Sequence, residues 1–555
     1  MKRSYQNFLG IIICLFIAGS TYLWALKLMQ SLYNYRSPLS NSPPPPGEST
    51  KPAITHKVVI ILIDGLRVDT AYNSEIMPFL NILRNDAAWG IMHSQTPSYS
   101  EPGWTTILTG SWPELSDGPA LNLDYEDIYP FTQDNIFSAA HRYGLKTAIS
   151  GYYWFEKLLP AGSVDYFFYT KGEDDKADQA VLAAALPWFT NNDINLILVH
   201  IDQVDYAGHH QGGPQSFYWN DAAKRADTMI NTIISKLDLS QNTVLILSDH
   251  GQIDSGGHGG KETVVLTVPY LFSGKGIIPG NYSDIQMVDI APTISVLLGL
   301  NIPASNQGKL LLDILEINSD KRNQVNSALS LQQTQLLQSY SEATNQEITL
   351  LSGDNVVTSV QNSILFSRDE RHKSEILKRS LIVVIILGTC LFFILRNIPL
   401  KKILPYLLAG ILYISIFNIR YSLIDKHPYS LSWISSQAGL VNYLVVTSII
   451  SFSISWLLLN IFLKTFFKSP IEITRNTLIC TISSILIIAI PVYISYAVNG
   501  PLVSWTLPKM LSMYLAFIAL LQCLLIAVFG SLLAVLSVPI HLVARRFAGA
   551  NINEN

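Results

Sequence analysis

Val58-Val-Ile-Ile-Leu-Ile63 runs straight into Asp64-Gly65. Six consecutive apolar, mostly β-branched residues read as a strand buried on both faces, because a half-exposed strand would alternate with polar residues. The arrangement recurs. Asn195-Leu-Ile-Leu-Val-His200 leads into Ile201-Asp-Gln-Val-Asp205-Tyr-Ala-Gly-His209, and Thr243-Val-Leu-Ile-Leu247 leads into Ser248-Asp249-His250-Gly251. Helical patterns lie between, at 77–87, 133–143, 178–189 and 220–237. The alternation predicts an α/β domain with a largely parallel sheet covered by helices on both faces. Ligands of such sheets bind beyond the carboxyl ends of the strands, where these polar residues fall.

Each polar motif has an ordinary reading. Asp64-Gly65 fits a turn with a capping Asp, and Asp205-x-x-Gly-His209 fits a polar loop. Asp249-His250 is sharper, because a carboxylate beside an imidazole makes a poor turn and a good ligand pair. His258, bracketed as Gly256-Gly-His-Gly-Gly260, suits close approach to an ion. Ser100, followed by Glu-Pro-Gly-Trp-Thr-Thr-Ile-Leu-Thr-Gly110, reads as the start of a helix. There its hydroxyl would stand where backbone N–H groups favour a phosphate. Together, three Asp, three His and one Ser suffice for two divalent cations with a bridging nucleophile. Carboxylate and imidazole donors without thiolate point to Zn²⁺ first and Mn²⁺ second. A two-metal site suits in-line displacement at phosphorus.

The 555 residues are 49% hydrophobic but only 14% charged, with net charge −4, against about 25% charged in ordinary proteins. So little charge excludes a disordered chain and a nucleic-acid binder, and argues against a wholly soluble enzyme. The deficit is local. Residues 37–379 carry 22 basic and 38 acidic residues, a net of −16, whereas 380–543 carry nine basic and two acidic. An acidic domain repels an anionic substrate, so bound cations must supply the local positive charge.

Lys2 and Arg3 precede an uncharged run from 4 to 26. A cleaved signal peptide would also start this way. The run is long for one and no A-x-A site follows, so an uncleaved membrane anchor is expected. Five further spans are expected at 380–395, 403–419, 440–463, 476–498 and 510–543. With six spans, the basic loops around Arg396, Lys401 and Lys402, around Lys464, Lys468 and Arg475, and after the last span share a side with Lys2 and Arg3. That side is cytoplasmic by the positive-inside rule, and the acidic block faces the opposite compartment. All four cysteines (Cys14, Cys390, Cys480 and Cys523) fall in the spans, which rules out a disulfide framework or thiol nucleophile in the exported block.

The expected organisation is a cytoplasmic start and anchor (1–36), a linker (37–56) with four consecutive prolines, a catalytic domain (57–317), a helical stalk (318–379), a five-helix membrane domain (380–543) and a cytoplasmic tail (544–555).

Residues 57–315 resemble the alkaline phosphatase superfamily, in its type I phosphodiesterase/nucleotide pyrophosphatase branch. The resemblance rests on Ile-Leu-Ile-Asp64-Gly-Leu-Arg67, Ser100-Glu-Pro-Gly with Leu-Thr-Gly110, Asp205-Tyr-Ala-Gly-His209, Ser-Asp249-His250-Gly and Gly-His258-Gly, with Asp289-Ile-Ala-Pro-Thr293 near the end. It implies an alkaline-phosphatase-like sheet with two metals. Asp64, Ser100, Asp249 and His250 would hold one, and Asp205, His209 and His258 the other. Ser100 would form a phosphoseryl intermediate passed to water or to an acceptor alcohol. Gly103 stands where the nucleotide branch carries Asn, which weakens a nucleotide substrate, and Trp104 stands where sulfatases carry Arg.

One anchor, an exported domain and several C-terminal spans are similar to the GPI ethanolamine phosphate transferases of the endoplasmic reticulum, which share Ser-x-Pro-Gly at the nucleophile. The expected function is a membrane-bound, metal-dependent phosphodiesterase or phosphotransferase acting on a lipid or lipid-linked phosphodiester. The alternatives are a hydrolase of soluble nucleotides or other phosphodiesters that uses its spans as anchor, and a polytopic binding protein without catalysis. Asn122 and Tyr152, Tyr153 and Trp154 are further candidates for the pocket wall.

Overall fold

Nine strands form one sheet in the computed structural model, which describes residues 2–434 and 436–550. They are β1 (Lys57–Ile63), β2 (Ala87–His93), β3 (Lys146–Tyr152), β4 (Tyr166–Thr170), β5 (Ile194–Ile201), β6 (Asn242–Leu247), β7 (Thr267–Gly274), β8 (Gly280–Asn281) and β9 (Ile285–Gln286). The order is β4-β3-β5-β1-β6-β7-β2-β8, with β9 also on β2. β4, β3, β5, β1 and β6 are mutually parallel, while β7 runs antiparallel to both β6 and β2. The mostly parallel sheet between helices agrees with the sequence reading.

Every residue of β1 is buried. Val58, Ile60 and Leu62 enter one core with the Ser100–Thr109 and Ile290–Leu298 helices, and Val59, Ile61 and Ile63 enter another with the Asp175–Thr190 and Phe217–Ile234 helices. That two-sided burial is why the strand carries no polar residue after its first. Lys57 opens it, almost fully buried, and its Nζ donates to the carbonyls of Trp188, Phe189 and Asn191 at 3.0, 2.8 and 2.9 Å. An ammonium at a helix C-terminus meets both the orphan carbonyls and the dipole.

Five described helices are long and apolar enough to cross a membrane: Tyr5–Tyr33, Leu400–Ile424, Ala438–Phe462, Pro470–Asn499 and Met510–Val535. The sixth expected span, 380–395, falls in the last part of the 42-residue helix Val356–Asn397, where the side chains of residues 393 and 394 lie outside the described residues. The run expected at 510–543 stops at Val535, four residues before Pro539, and resumes as Ser537–Ala550. Met1 and residues 551–555 of the expected cytoplasmic ends lie outside the described residues.

The domain sits on one end of the bundle. Thr506 and Arg368 both bond Glu114, and Trp505 Nε1 donates to Glu375 at 3.2 Å. In the loop between the second and third of these five helices, Ser432 Oγ donates to Glu262 at 2.6 Å and accepts from Gly260 N at 2.9 Å. The start of the helix Pro470–Ile488 and the start of the first helix meet at the far end, where Asn7 donates to Ile471 O at 3.0 Å.

Candidate active site

β5, β1 and β6 lie side by side with Ile201 opposite Ile63 and Leu247 opposite Leu62, so their carboxyl ends are level. Asp64 therefore stands between the chain that continues to Asp205 and the one that continues to Asp249 and His250. Asp205 and His209, four residues apart on the helix Gln203–His210, share one face, with His209 Nε2 3.4 Å from Asp205 Oδ2. His258 enters from the β6–β7 loop. Gly257 and Gly259 beside it have φ of +107° and +103°, which admits glycine at low cost. Ser100 begins the buried helix Ser100–Thr109, and its Oγ lies 3.3 Å from His250 Nε2. That helix can come so close because a Cβ at Gly103 would lie 2.9 Å from Asp249 Cβ.

All seven sequence candidates are thus gathered at one end of the sheet. Donor atoms of Asp205, His209 and His258 lie within 4.8 Å of one another, as do those of Asp64, Asp205 and His250. Asp205 stands in both groups, an arrangement the motifs did not foresee. Asp249 gives Oδ1 to the backbone N–H of Gly65 and His250, at 3.3 and 3.0 Å, and turns Oδ2 toward His250 Nε2 at 3.6 Å.

The proton positions decide what these groups can hold. His250 Nδ1 and His258 Nδ1 face the carbonyls of Gly251 and Ser98 at 3.2 and 3.0 Å, so each must carry its proton there and leave Nε2 as a bare lone pair. The lone pair of His250 then faces Asp64 Oδ1 at 3.3 Å, and that of His258 faces Asp205 Oδ1 at 3.7 Å. Acceptors facing acceptors repel unless a cation lies between them. Asp64 Oδ1 and Asp249 Oδ2 are buried and have no hydrogen-bond donor. Among the described residues no Lys or Arg pairs with Asp64, Asp202, Asp205 or Asp249, and Arg67 is turned away onto Asp69 and Asp254. Burial and neighbouring carboxylates push Asp64 and Asp202 well above the usual range, while burial and the stacked His250 ring 3.7 Å away push His258 well below it. This donor set fits divalent cations.

Two residues that the motifs passed over complete the site. His200, buried, lies 3.0 Å from Asp64 Oδ2, its ring edge-on to Trp104 and Phe155. Burial lowers it to about 3, so it is neutral and serves Asp64 as an Nε2–H donor. Glu101 accepts from Leu123 N at 3.1 Å, and burial raises it well above the usual carboxylate range. Asn122 accepts from Glu101 N at 3.1 Å and so steadies the helix start at Ser100. Trp104, at the position where a sulfatase Arg would stand, is buried against Phe155 with ring centroids 4.3 Å apart and forms wall rather than anion contact. Trp154 packs against Tyr152 at 5.0 Å and against Trp104 at 6.1 Å, on the same side.

Residues 58–115 and 128–301 match the family described as type I phosphodiesterase / nucleotide pyrophosphatase. Among curated relatives, GPI ethanolamine phosphate transferase 2 of Schizosaccharomyces pombe is 28% identical over 375 residues, covering 61% of this chain and 49% of its own. The catalytic subunit of human GPI ethanolamine phosphate transferase 3 is 25% identical over 391 residues, covering 62% and 35%. This chain spans about half or less of the length of the relatives it matches. Solved structures similar to it include human ectonucleotide pyrophosphatase / phosphodiesterase 5, with TM-score 0.39, 14% identity and coverage of 47% of this chain and 100% of that one. Wild-type alkaline phosphatase PafA has TM-score 0.37 and 13% identity, with coverage of 48% and 99%.

Proposed function

We propose that this chain, part of which matches the type I phosphodiesterase family, is a membrane-bound phosphodiesterase or phosphotransferase. It acts through a phosphoseryl intermediate on a lipid or lipid-linked phosphodiester, in the manner of a phosphoethanolamine transferase. Asp64, Asp249 and His250 with Ser100, and Asp205, His209 and His258, would hold two divalent cations, Zn²⁺ by their donor chemistry and Mn²⁺ second. The cations would supply the positive charge that developing oxyanions need.

The chain's own groups do the rest. Ser100 Oγ attacks phosphorus and the ester bond to the leaving alcohol breaks. Water or a second alcohol then attacks the phosphoserine and restores the hydroxyl. The N–H groups of the first helical turn point at the phosphoryl oxygens. Trp104 and Trp154 wall off one side from water, and His200 keeps Asp64 oriented.

The observation that carries the lipid reading is the seam at Ser100. The residue before it, Tyr99, packs into the apolar cluster of the membrane helices together with Ala120 and Leu121 of the same domain. A site meant for soluble nucleotides has no need to abut the bundle. The domain is proposed to face the non-cytoplasmic compartment. Support comes from Arg396, Lys401, Lys402, Lys464 and Lys468, which fall at the helix ends remote from it.

The test is the purified full chain, expected to hold about two metal ions, with phospholipid carrying a labelled headgroup as substrate. Ser100→Ala should abolish cleavage of that lipid and of a soluble nitrophenyl diester while keeping the fold. Turnover retained in that variant would remove Ser100 as nucleophile. Label appearing on an acceptor rather than as free headgroup marks transfer over hydrolysis, and turnover of nucleotides in preference to lipid would favour the soluble-substrate alternative.

A further inference from the structure

The boundary between polar site and apolar bundle is one residue wide, twice. Ser100 follows Tyr99, and Asn122, which holds the helix start at Ser100, follows Leu121. Tyr99 and Leu121 are also the roof of a groove of about 370 Å³ in the upper half of the bundle. Its walls are Ala25 and Met29 of the first helix and Met513 and Phe517 of the last span. None of its lining residues is charged. Tyr22, Leu26 and Val441 line it too and are 49, 42 and 47% exposed, so it opens sideways toward the hydrocarbon of a bilayer. Ligand pockets are of this size, roughly 300–1,000 Å³, and thioether side chains adapt to flexible chains.

We propose that this groove holds one acyl chain of the diacyl phospholipid whose headgroup ester Ser100 attacks, an inference that rests on the lipid phosphodiesterase reading above. Lipids that merely surround the bundle have no reason to sit under the catalytic domain. This groove is roofed by the residues adjoining Ser100 and Asn122, so a chain within it carries its glycerol phosphate up to the donor cluster. In the step, the Ser100 Oγ–P bond forms and the P–O bond to glycerol breaks. The glycerol oxygen takes up the proton that the Ser100 hydroxyl gives up, and diacylglycerol leaves along the groove. Burying acyl methylenes is favourable when they come from water. A chain arriving from the bilayer gains little of this, so the groove acts by alignment rather than by affinity.

The test uses the full chain in lipid nanodiscs containing dioleoyl phosphatidylethanolamine with a diazirine at the end of one acyl chain. Photolabel is expected to concentrate in peptides spanning 22–33 and 510–521, above the level in 381–391, whose Leu381, Val384 and Leu391 face outward. Val441→Trp at the rim should lower that excess about fivefold. The same variant should lower the ratio of phospholipid turnover to turnover of soluble bis(4-nitrophenyl) phosphate about tenfold. Leu26→Trp, on the opposite rim, provides the same readouts if the first variant does not fold. Uniform labelling, or a turnover ratio that neither variant changes, overturns the groove while leaving phospholipid cleavage standing. Concentrated labelling in a wild-type chain that never cleaves the phospholipid upholds the groove and overturns the functional reading.

Discussion

At the scale of single residues, the site divides by how each group announces itself. Asp249-His250 and Asp205-x-x-x-His209 stood out because candidate ligand pairs lie together just past apolar runs. His200 did not, because it stands inside such a run, and its partner Asp64 comes from the neighbouring strand, where Leu62 lies opposite His200. His200→Phe keeps the packing on Trp104 and Phe155 but removes the Asp64 donor. Metal affinity measured by competition with a chelating dye should fall about 10–100-fold, and stability by about 1–3 kcal/mol. An unchanged metal affinity would remove His200 from the site. Asp289 gives a pH signature away from the candidate metal donors. It is buried and accepts from Gln286 N and Lys309 N at 2.9 and 2.8 Å, and burial raises it to about 6. A carboxyl that holds its proton more tightly when folded lends stability that is full below about pH 4 and is lost as pH rises through about 6. The stability gap between the wild type and Asp289→Asn should therefore shrink by up to about 3 kcal/mol from pH 4 to pH 7. A gap that widens over that window would mean that the two N–H donors outweigh burial.

At the scale of elements, the central strands were legible because burial on both faces leaves an unbroken apolar run. The helix break in the membrane domain was not read. Pro539 stood in plain view, yet mean hydropathy carries straight across it. A proline changes the backbone without changing the composition of a span. Lys57 taught the opposite lesson, since a basic residue at a strand start gives no hint that it closes a helix on the neighbouring layer. Lys57→Met leaves the carbonyls of Trp188, Phe189 and Asn191 without their shared donor. It should lower unfolding stability by about 1–3 kcal/mol, read by thermal melting, with metal content intact. A variant as stable as the wild type would show that water replaces the ammonium at no cost.

At the scale of the whole molecule, composition alone separated an acidic block from a charge-poor, weakly basic bundle, but it could not show how the two meet. Those contacts are between residues far apart in the chain, 392 positions for Glu114 with Thr506 and 172 for Gly260 with Ser432. The arrangement predicts sidedness. In a Cys390→Ser background, Glu75→Cys should react with an impermeant thiol reagent only from the non-cytoplasmic face, and Lys464→Cys only from the cytoplasmic face. Both reacting from one face would overturn the six-span topology. The Ser432 contact also bears on biosynthesis. Translation runs from the N-terminus, so the strands, Ser100 and the His258 loop are all made well before Ser432 emerges. The loop that carries His258 gains its Ser432 tether only after the second of the five helices has been made. A nascent chain therefore carries Ser100 and the candidate metal donors before this tether is in place. Under the function proposed above, membrane insertion rather than domain folding would set the moment at which the chain begins to turn over lipid.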